Sequence, residues 1–215
     1  MKTVAVLTGG HPYDVPAFTA CLRSLPGIDC HVQSVREFCT DFGGYTDRYD
    51  AVVFFTMDLS TPADEPAWDT ADKRSIEAVA ERGQGIVVLH HAVLAYPGWD
   101  TWTAVTGIPD RSDYRYAFGR TVRSHVENPD HPVTRGLADW DLVDETYDAA
   151  DPGDGSEILL STPCTESIRA IAWTRRYRNA RVLCYQSGHD RAAYADPNFR
   201  TVLGRGILWT CGEGR

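Results

Sequence analysis

Three short segments, residues 3–8, 51–56 and 85–90, are apolar and rich in β-branched side chains, with no alternation of polar and apolar residues. A strand with one wet face must alternate, so these runs suit strands buried on both faces, as in a parallel sheet covered by helices. Helical patterns separate them. Residues 15–25 form one, stopped by Pro26-Gly27, and residues 67–82 form another, stopped by Gly83. A weaker strand is expected at 29–35. Strand, helix, strand, helix, strand is the order of βαβ units, so the chain is expected to be α/β with a mostly parallel, doubly wound sheet.

Beyond residue 90 the pattern loosens. Residues 99–106 suit a short helix, and 114–127 suit one or two strands or a hairpin. Further strands are expected at 157–161, 168–174 and 180–186, with a closing helix over 198–211. No repeat or linker interrupts the 215 residues, so a single domain over 1–215 is expected.

Charge narrows the partners. The net charge of −9 gives no general attraction to phosphate backbones, so nucleic acid is not an expected partner. The arginines at 175, 176, 178 and 181 read as a solvated face. No stretch approaches the length of a membrane helix and no signal peptide opens the chain, which predicts a cytoplasmic protein without a membrane partner. The six cysteines have no C-x-x-C spacing and read as reduced thiols. A homodimer is the default assembly.

Ligands of open α/β sheets bind outside the carboxyl ends of the strands, so the residues after each run are informative. Gly9-Gly10-His11-Pro12-Tyr13-Asp14 follows the first, with Asp14 placed to cap the next helix. His90-His91 ends the third. Side chains alternate along a strand, so only one of the two rings is expected to face a site, and His91 is taken as the more exposed. Ser187-Gly188-His189-Asp190 follows the strand at 180–186. Asp144-Glu145-Thr146-Tyr147 follows the apolar stretch 140–143, and His131 sits in a proline-flanked turn with a structural role.

Two chemistries are compatible with these residues. His91, His189 and Glu145 could ligate a divalent metal such as zinc, iron or manganese. A metal-free acid–base site of His189, Glu145 and either His90 or His91 is the alternative. No G-x-S-x-G elbow, P-loop or G-x-G-x-x-G is present, and Cys184 lies inside an expected buried strand where a thiol is unreactive.

The segments Thr8-Gly9-Gly10-His11, Gly85 through Ala92, Asn128 through Leu137, Asp144 through Tyr147, Ala172 through Arg175, Ser187 through Asp190 and Gly206 through Trp209 together resemble the ThuA-like (trehalose utilisation) family of the class I glutamine amidotransferase-like superfamily. The resemblance implies a flavodoxin-like fold with helices on both faces of the sheet. It also implies a histidine pair where amidotransferases carry their cysteine, hence no thiolate-dependent glutamine hydrolysis, and a role in disaccharide breakdown through keto-sugars. The expected activity is therefore enzymatic and of isomerase, lyase or hydrolase type on a small sugar or keto-sugar. His189, Glu145 and His91 are its catalytic candidates, and His11, Tyr13, His90, Tyr147 and Asp190 its substrate-binding candidates. Tyr13, Trp99, Tyr147 and Trp173 are candidates for stacking on sugar rings. A non-catalytic carbohydrate-binding domain and an amidotransferase-like hydrolase acting on a non-sugar substrate are the competing readings.

Overall fold

The computed structural model describes residues 1–59 and 70–213. The strands are β1 (Lys2–Gly9), β2 (Ile28–Ser34), β3 (Ala51–Thr56), β4 (Gly85–Leu89), β5 (Arg115–Val126), β6 (Trp140–Asp148), β7 (Glu157–Ser161), β8 (Ala170–Tyr177) and β9 (Ala180–Tyr185). They lie side by side in the order β2-β1-β3-β4-β9-β8-β7-β5-β6. The helices are α1 (Val15–Arg23), α2 (Val35–Thr40), α3 (Thr70–Glu81), α4 (Asp100–Thr106), α5 (Arg191–Ala195) and α6 (Pro197–Thr210). Residues 67–69 of the expected second helix lie outside the described residues.

Every residue of β3 and β4 is buried, as their unbroken apolar runs require. Alternate side chains feed two cores. Val53 and Phe55 pack with Phe18 of α1 and Phe199, Val202 and Leu203 of α6 on one face. Val52 and Phe54 pack with Val79 of α3 and Trp102 of α4 on the other. Helices therefore cover both faces of a flavodoxin-like sheet.

The sheet is mixed, which corrects the expectation of mostly parallel strands. The pairings β1–β2, β1–β3, β3–β4 and β4–β9 are parallel. The pairings β8–β9, β7–β8, β5–β7 and β5–β6 are antiparallel. At the β8–β9 pair the reason is connection length. Parallel neighbours need a crossover of about a dozen residues or more, whereas only Arg178 and Asn179 separate β8 from β9, with Arg178 left-handed at φ 49°.

Other boundaries shift for local reasons. The weak strand ends at Ser34 because that residue caps α2: its hydroxyl accepts from the Glu37 amide while the Glu37 carboxylate accepts from the Ser34 amide. Residues 114–127 make a single long strand. β6 runs on through Tyr147, so Asp144 to Tyr147 lie within a strand and not in a loop after one. Trp99 stacks on Trp102, and Trp173 is enclosed with its indole N–H donating to the Thr106 carbonyl. Both are core residues and neither can stack on a sugar. No helix among the described residues is long and apolar enough to cross a membrane.

Candidate functional site

The carboxyl ends of β1, β4 and β9 are neighbours along the sheet or one strand apart, and they bring three histidine-bearing loops together. Gly10 makes the first loop. At φ +69° a Cβ would lie 2.3 Å from the Met57 carbonyl oxygen, so the chain after β1 can press against the chain after β3 only with glycine there. His11 follows. Its ring centroid lies 4.8 Å from that of His91 and 5.9 Å from that of His189.

β4 ends at a sharp elbow. His90 takes the left-handed conformation at φ 54°, which breaks the strand's alternation. The two ring centroids lie 5.1 Å apart, and of the pair only the His90 ring meets the carboxylate of the cluster. The expectation that His91 is exposed fails: relative exposure is 0% for His90 and 1% for His91. Of the two, His90 joins the polar cluster. Its Nδ1 lies 2.8 Å from the Gln186 carbonyl oxygen, and its Nε2 lies 3.1 Å from Glu145 Oε2 and 3.3 Å from His189 Nδ1. His91 packs instead against Phe55 at 4.5 Å between ring centroids.

β9 ends at Tyr185, and the following loop carries His189. Asp144 of β6 holds that loop, accepting from the amides of Gly188 at 2.8 Å, His189 at 3.0 Å and Glu145 at 2.9 Å. The next residue of β6, Glu145, turns its Oε2 to within 3.0 Å of His189 Nδ1. The Tyr147 hydroxyl donates to the same oxygen at 2.6 Å and lies 3.0 Å from His90 Nε2. Tyr147 is buried, so it positions Glu145 and offers no surface for a sugar ring.

Charge follows from these contacts. Burial resists ionisation of Glu145, but hydrogen bonds from His189, His90 and Tyr147 prevail and hold its pKa well below the usual carboxylate range. The Glu145 hydrogen bond and charge, with the charges of Asp144 and Asp190, outweigh burial and raise His189 above the ordinary histidine value. Burial, with His90 and His11 nearby, pushes His91 down to about 2. The centre is thus an ionised glutamate against a histidine that favours its proton, beside a histidine kept neutral.

The remaining candidates also make contacts within the fold. Tyr13 packs edge-on against Phe18 and Phe55 at the rim of the core. Asp190 caps α5 by accepting from the Ala192 amide. Asp14 caps α1 as expected and also pairs with Arg191. His131 accepts from the Val133 amide and packs on Trp209. Cys184 is enclosed, and burial raises its pKa.

His90, Glu145 and His189 have the donor set of a divalent metal site, and their three facing atoms all lie within 4.8 Å of one another. The separations of 3.0, 3.1 and 3.3 Å compare with about 3.3–3.4 Å between neighbouring ligands of a tetrahedral ion bound at roughly 2.0–2.1 Å. The donors fit. This set replaces the expected one in that His90 stands where His91 was placed.

A family model described as trehalose utilisation, ThuA, matches residues 10–210. The chain belongs to the ThuA family. Solved structures share its fold. A ThuA-like protein from Parabacteroides merdae superposes with a TM-score of 0.78 at 20% identity, covering 98% of this chain and 90% of that one. A cytoplasmic protein from Salmonella typhimurium gives 0.71 at 14% identity, covering 98% and 99%. PurLQS from Thermotoga maritima gives 0.58 at 15% identity, covering 97% and 98%. No curated protein matches this sequence. Family membership points to a carbohydrate-related role, and the superpositions show a glutamine amidotransferase-like fold in which His90 occupies the elbow after β4.

Sequence reasoning missed three parts of the site. Gln186 acts through its backbone carbonyl, which carries no side-chain signal. Sequence marks Asp144 as a carboxylate but carries no sign that it clamps the His189 loop. Phe118 of β5 lies 5.2 Å from His189 between ring centroids; Gly119 inside an alternating stretch was its available signal, since such a glycine marks a bulge.

Proposed function

We propose that this chain is an enzyme acting on a sugar or keto-sugar at the His90–Glu145–His189 centre. The observation that carries the reading is the convergence of two imidazoles and a phenol on one carboxylate oxygen, at 2.6 to 3.1 Å, beside the carboxyl ends of β4 and β9. That set supplies both halves of the chemistry a keto-sugar needs. A carbon beside a carbonyl loses its proton to a base, and the electron pair moves to form a carbon–carbon double bond. The carbonyl oxygen takes a proton from an acid as the enediol forms. Ionised Glu145 is the base and protonated His189 the acid. Return of the proton to the neighbouring carbon isomerises the sugar; departure of a β-substituent eliminates it.

Tyr147 and His90 orient Glu145, and Asp144 keeps the His189 loop against β6, so neither reacting group need reorganise. A divalent ion held by His90, Glu145 and His189 would supply Lewis-acid polarisation of a sugar oxygen at the same place. The substrate is a small molecule, and neither nucleic acid nor a membrane enters the reading.

The test is incubation of tag-free protein with 3-keto-glucose and 3-keto-trehalose, with and without added zinc, iron(II) or manganese, followed by proton NMR. Turnover by the wild type that falls at least about 100-fold in both Glu145→Gln and His189→Ala is expected. No turnover of either compound under any of these conditions, by folded protein, overturns the reading.

A further inference from the structure

β5 and β6 are out of step beside the centre. Arg115 pairs with Asp148, Tyr116 with Tyr147 and Ala117 with Thr146; pairing then slips and resumes with Arg120 opposite Asp144. Phe118 and Gly119 therefore face the single residue Glu145. Gly119 adopts φ +62°, the left-handed geometry that lets one strand hold an extra residue. A bulge re-aims the side chains it carries, and here it sends the Phe118 ring to 5.2 Å from the His189 ring.

Phe118 does not enter either core. It is 59% exposed, and Tyr116, at the same spacing along the strand that returns a side chain to one face, is 60% exposed. Their ring centroids are 5.4 Å apart. The large aromatics Tyr147 and Phe55, which touch the site histidines, are by contrast enclosed. Leaving two rings in water forgoes the burial that stabilises folded proteins, and paired exposed aromatics at a polar centre mark a surface kept for contact.

The chemistry of that contact follows from the neighbours. One edge of the platform carries the His189 imidazole and, behind it, the Glu145 carboxylate; its faces are hydrocarbon. A pyranose has the matching character, with a face of C–H groups and a rim of hydroxyls. Dispersion and C–H contacts to an aromatic face hold the ring while leaving the rim to polar partners.

We propose that Phe118, extended by Tyr116, is a sugar-stacking platform that sets a pyranose ring against His189, with Gly119 as the positioning residue that aims it. This inference rests on the sugar reading of the same centre. It assigns substrate binding to residues of β5, and not to the buried Tyr147, Trp99 and Trp173.

Saturation-transfer NMR and isothermal titration with trehalose and methyl α-glucopyranoside test it without relying on turnover. In Phe118→Ala the affinity is expected to fall by roughly tenfold or more, and in Phe118→Trp to stay within roughly threefold of wild type. Val143→Ala, which trims an exposed apolar side chain of β6, serves as the control and should bind as wild type does. Unchanged affinity in a folded Phe118→Ala overturns the platform and leaves the proposed enzyme standing. Absence of sugar binding by the wild type, together with no turnover, overturns both. A shift in oligomeric state on removing Phe118, with sugar affinity unchanged, assigns the rings to an interface between copies and also overturns the platform.

Discussion

His90 Nδ1 lies 2.8 Å from the carbonyl oxygen of Gln186, and that contact dictates what the other side of the ring can do. A carbonyl only accepts, so Nδ1 carries the proton and the neutral ring presents a lone pair at Nε2. That lone pair faces Glu145 Oε2 across 3.1 Å. Two acceptors so placed require a proton or a cation between them. The backbone of one strand end thus fixes which nitrogen of the elbow histidine faces the carboxylate.

The first prediction concerns metal. Tag-free protein loaded with zinc, iron(II) or manganese should retain near-stoichiometric metal by plasma mass spectrometry after desalting. His90→Ala and Glu145→Gln should each weaken retention by at least roughly tenfold. His91→Phe should not. Full retention in His90→Ala would remove His90 from the ligand set.

The second concerns pH, in metal-free protein. His189 is raised in the fold above its ordinary 6.5, so its stabilisation is complete below 6.5 and is lost as pH rises through the folded value. His91 is lowered to about 2 from 6.5, so the unfolded chain takes up that proton first and stability declines as pH falls below 6.5. One such proton is worth about 1.4 kcal/mol per pH unit. His131, also lowered by burial, adds to the acid side, and Glu145 adds to it only below its ordinary 4.5. Urea midpoints should therefore show the site's contribution peaking near pH 6.5. His189→Ala should flatten the alkaline limb and His91→Phe the acid limb; unchanged limbs in both variants would refute the assignment.

The third concerns Arg111. Its guanidinium is fully enclosed and donates to the carbonyls of Ala95, Tyr96 and Ile108 and to the Thr103 hydroxyl. It fastens the segment after the elbow to the end of α4. Arg111→Met leaves several buried carbonyls without a donor and should cost about 3 kcal/mol or more, a fall in Tm on the order of 10 °C. Lysine should rescue little, because it cannot reproduce the planar fork. A loss under about 1 kcal/mol by calorimetry would mean that water replaces the guanidinium.

The fourth concerns Asp144. Its three amide partners tie the His189 loop to β6, and an asparagine in its place must turn an N–H₂ toward one of those donors. Asp144→Asn should destabilise the fold by about 1–3 kcal/mol. It should also speed amide hydrogen exchange at Gly188 and His189 relative to β3. Unaltered exchange at those two amides would show that the loop is held by other contacts.

Much of the fold was legible before any coordinates. The apolar runs at 51–56 and 85–90 could only be inner strands, and the turns after β1, β4 and β9 marked where His11, the histidine pair and His189 would gather. The capping box at Ser34 and Glu37 and the two-residue gap between β8 and β9 emerged only with the structure, which ended the weak strand early and made that pair antiparallel. The sequence by itself thus determined the sequence-adjacent features: where the inner strands and most helices lie, and that His11, the histidine pair and His189 follow strand ends, though not that Asp144 to Tyr147 lie within β6.

The tertiary structure decided the rest. Whether His90 or His91 meets Glu145 depends on a left-handed residue that breaks the strand's alternation and on the Gln186 carbonyl, 96 residues away. Asp144 reaches His189 across 45 residues, and Phe118 reaches it only because a bulge displaces one strand against another. Such pairings depend on the register of chains that are distant in sequence, and a residue's own type and neighbours carry no information about register. Periodicity reports which face of an element is dry; the packing of one element on another determines which atoms meet.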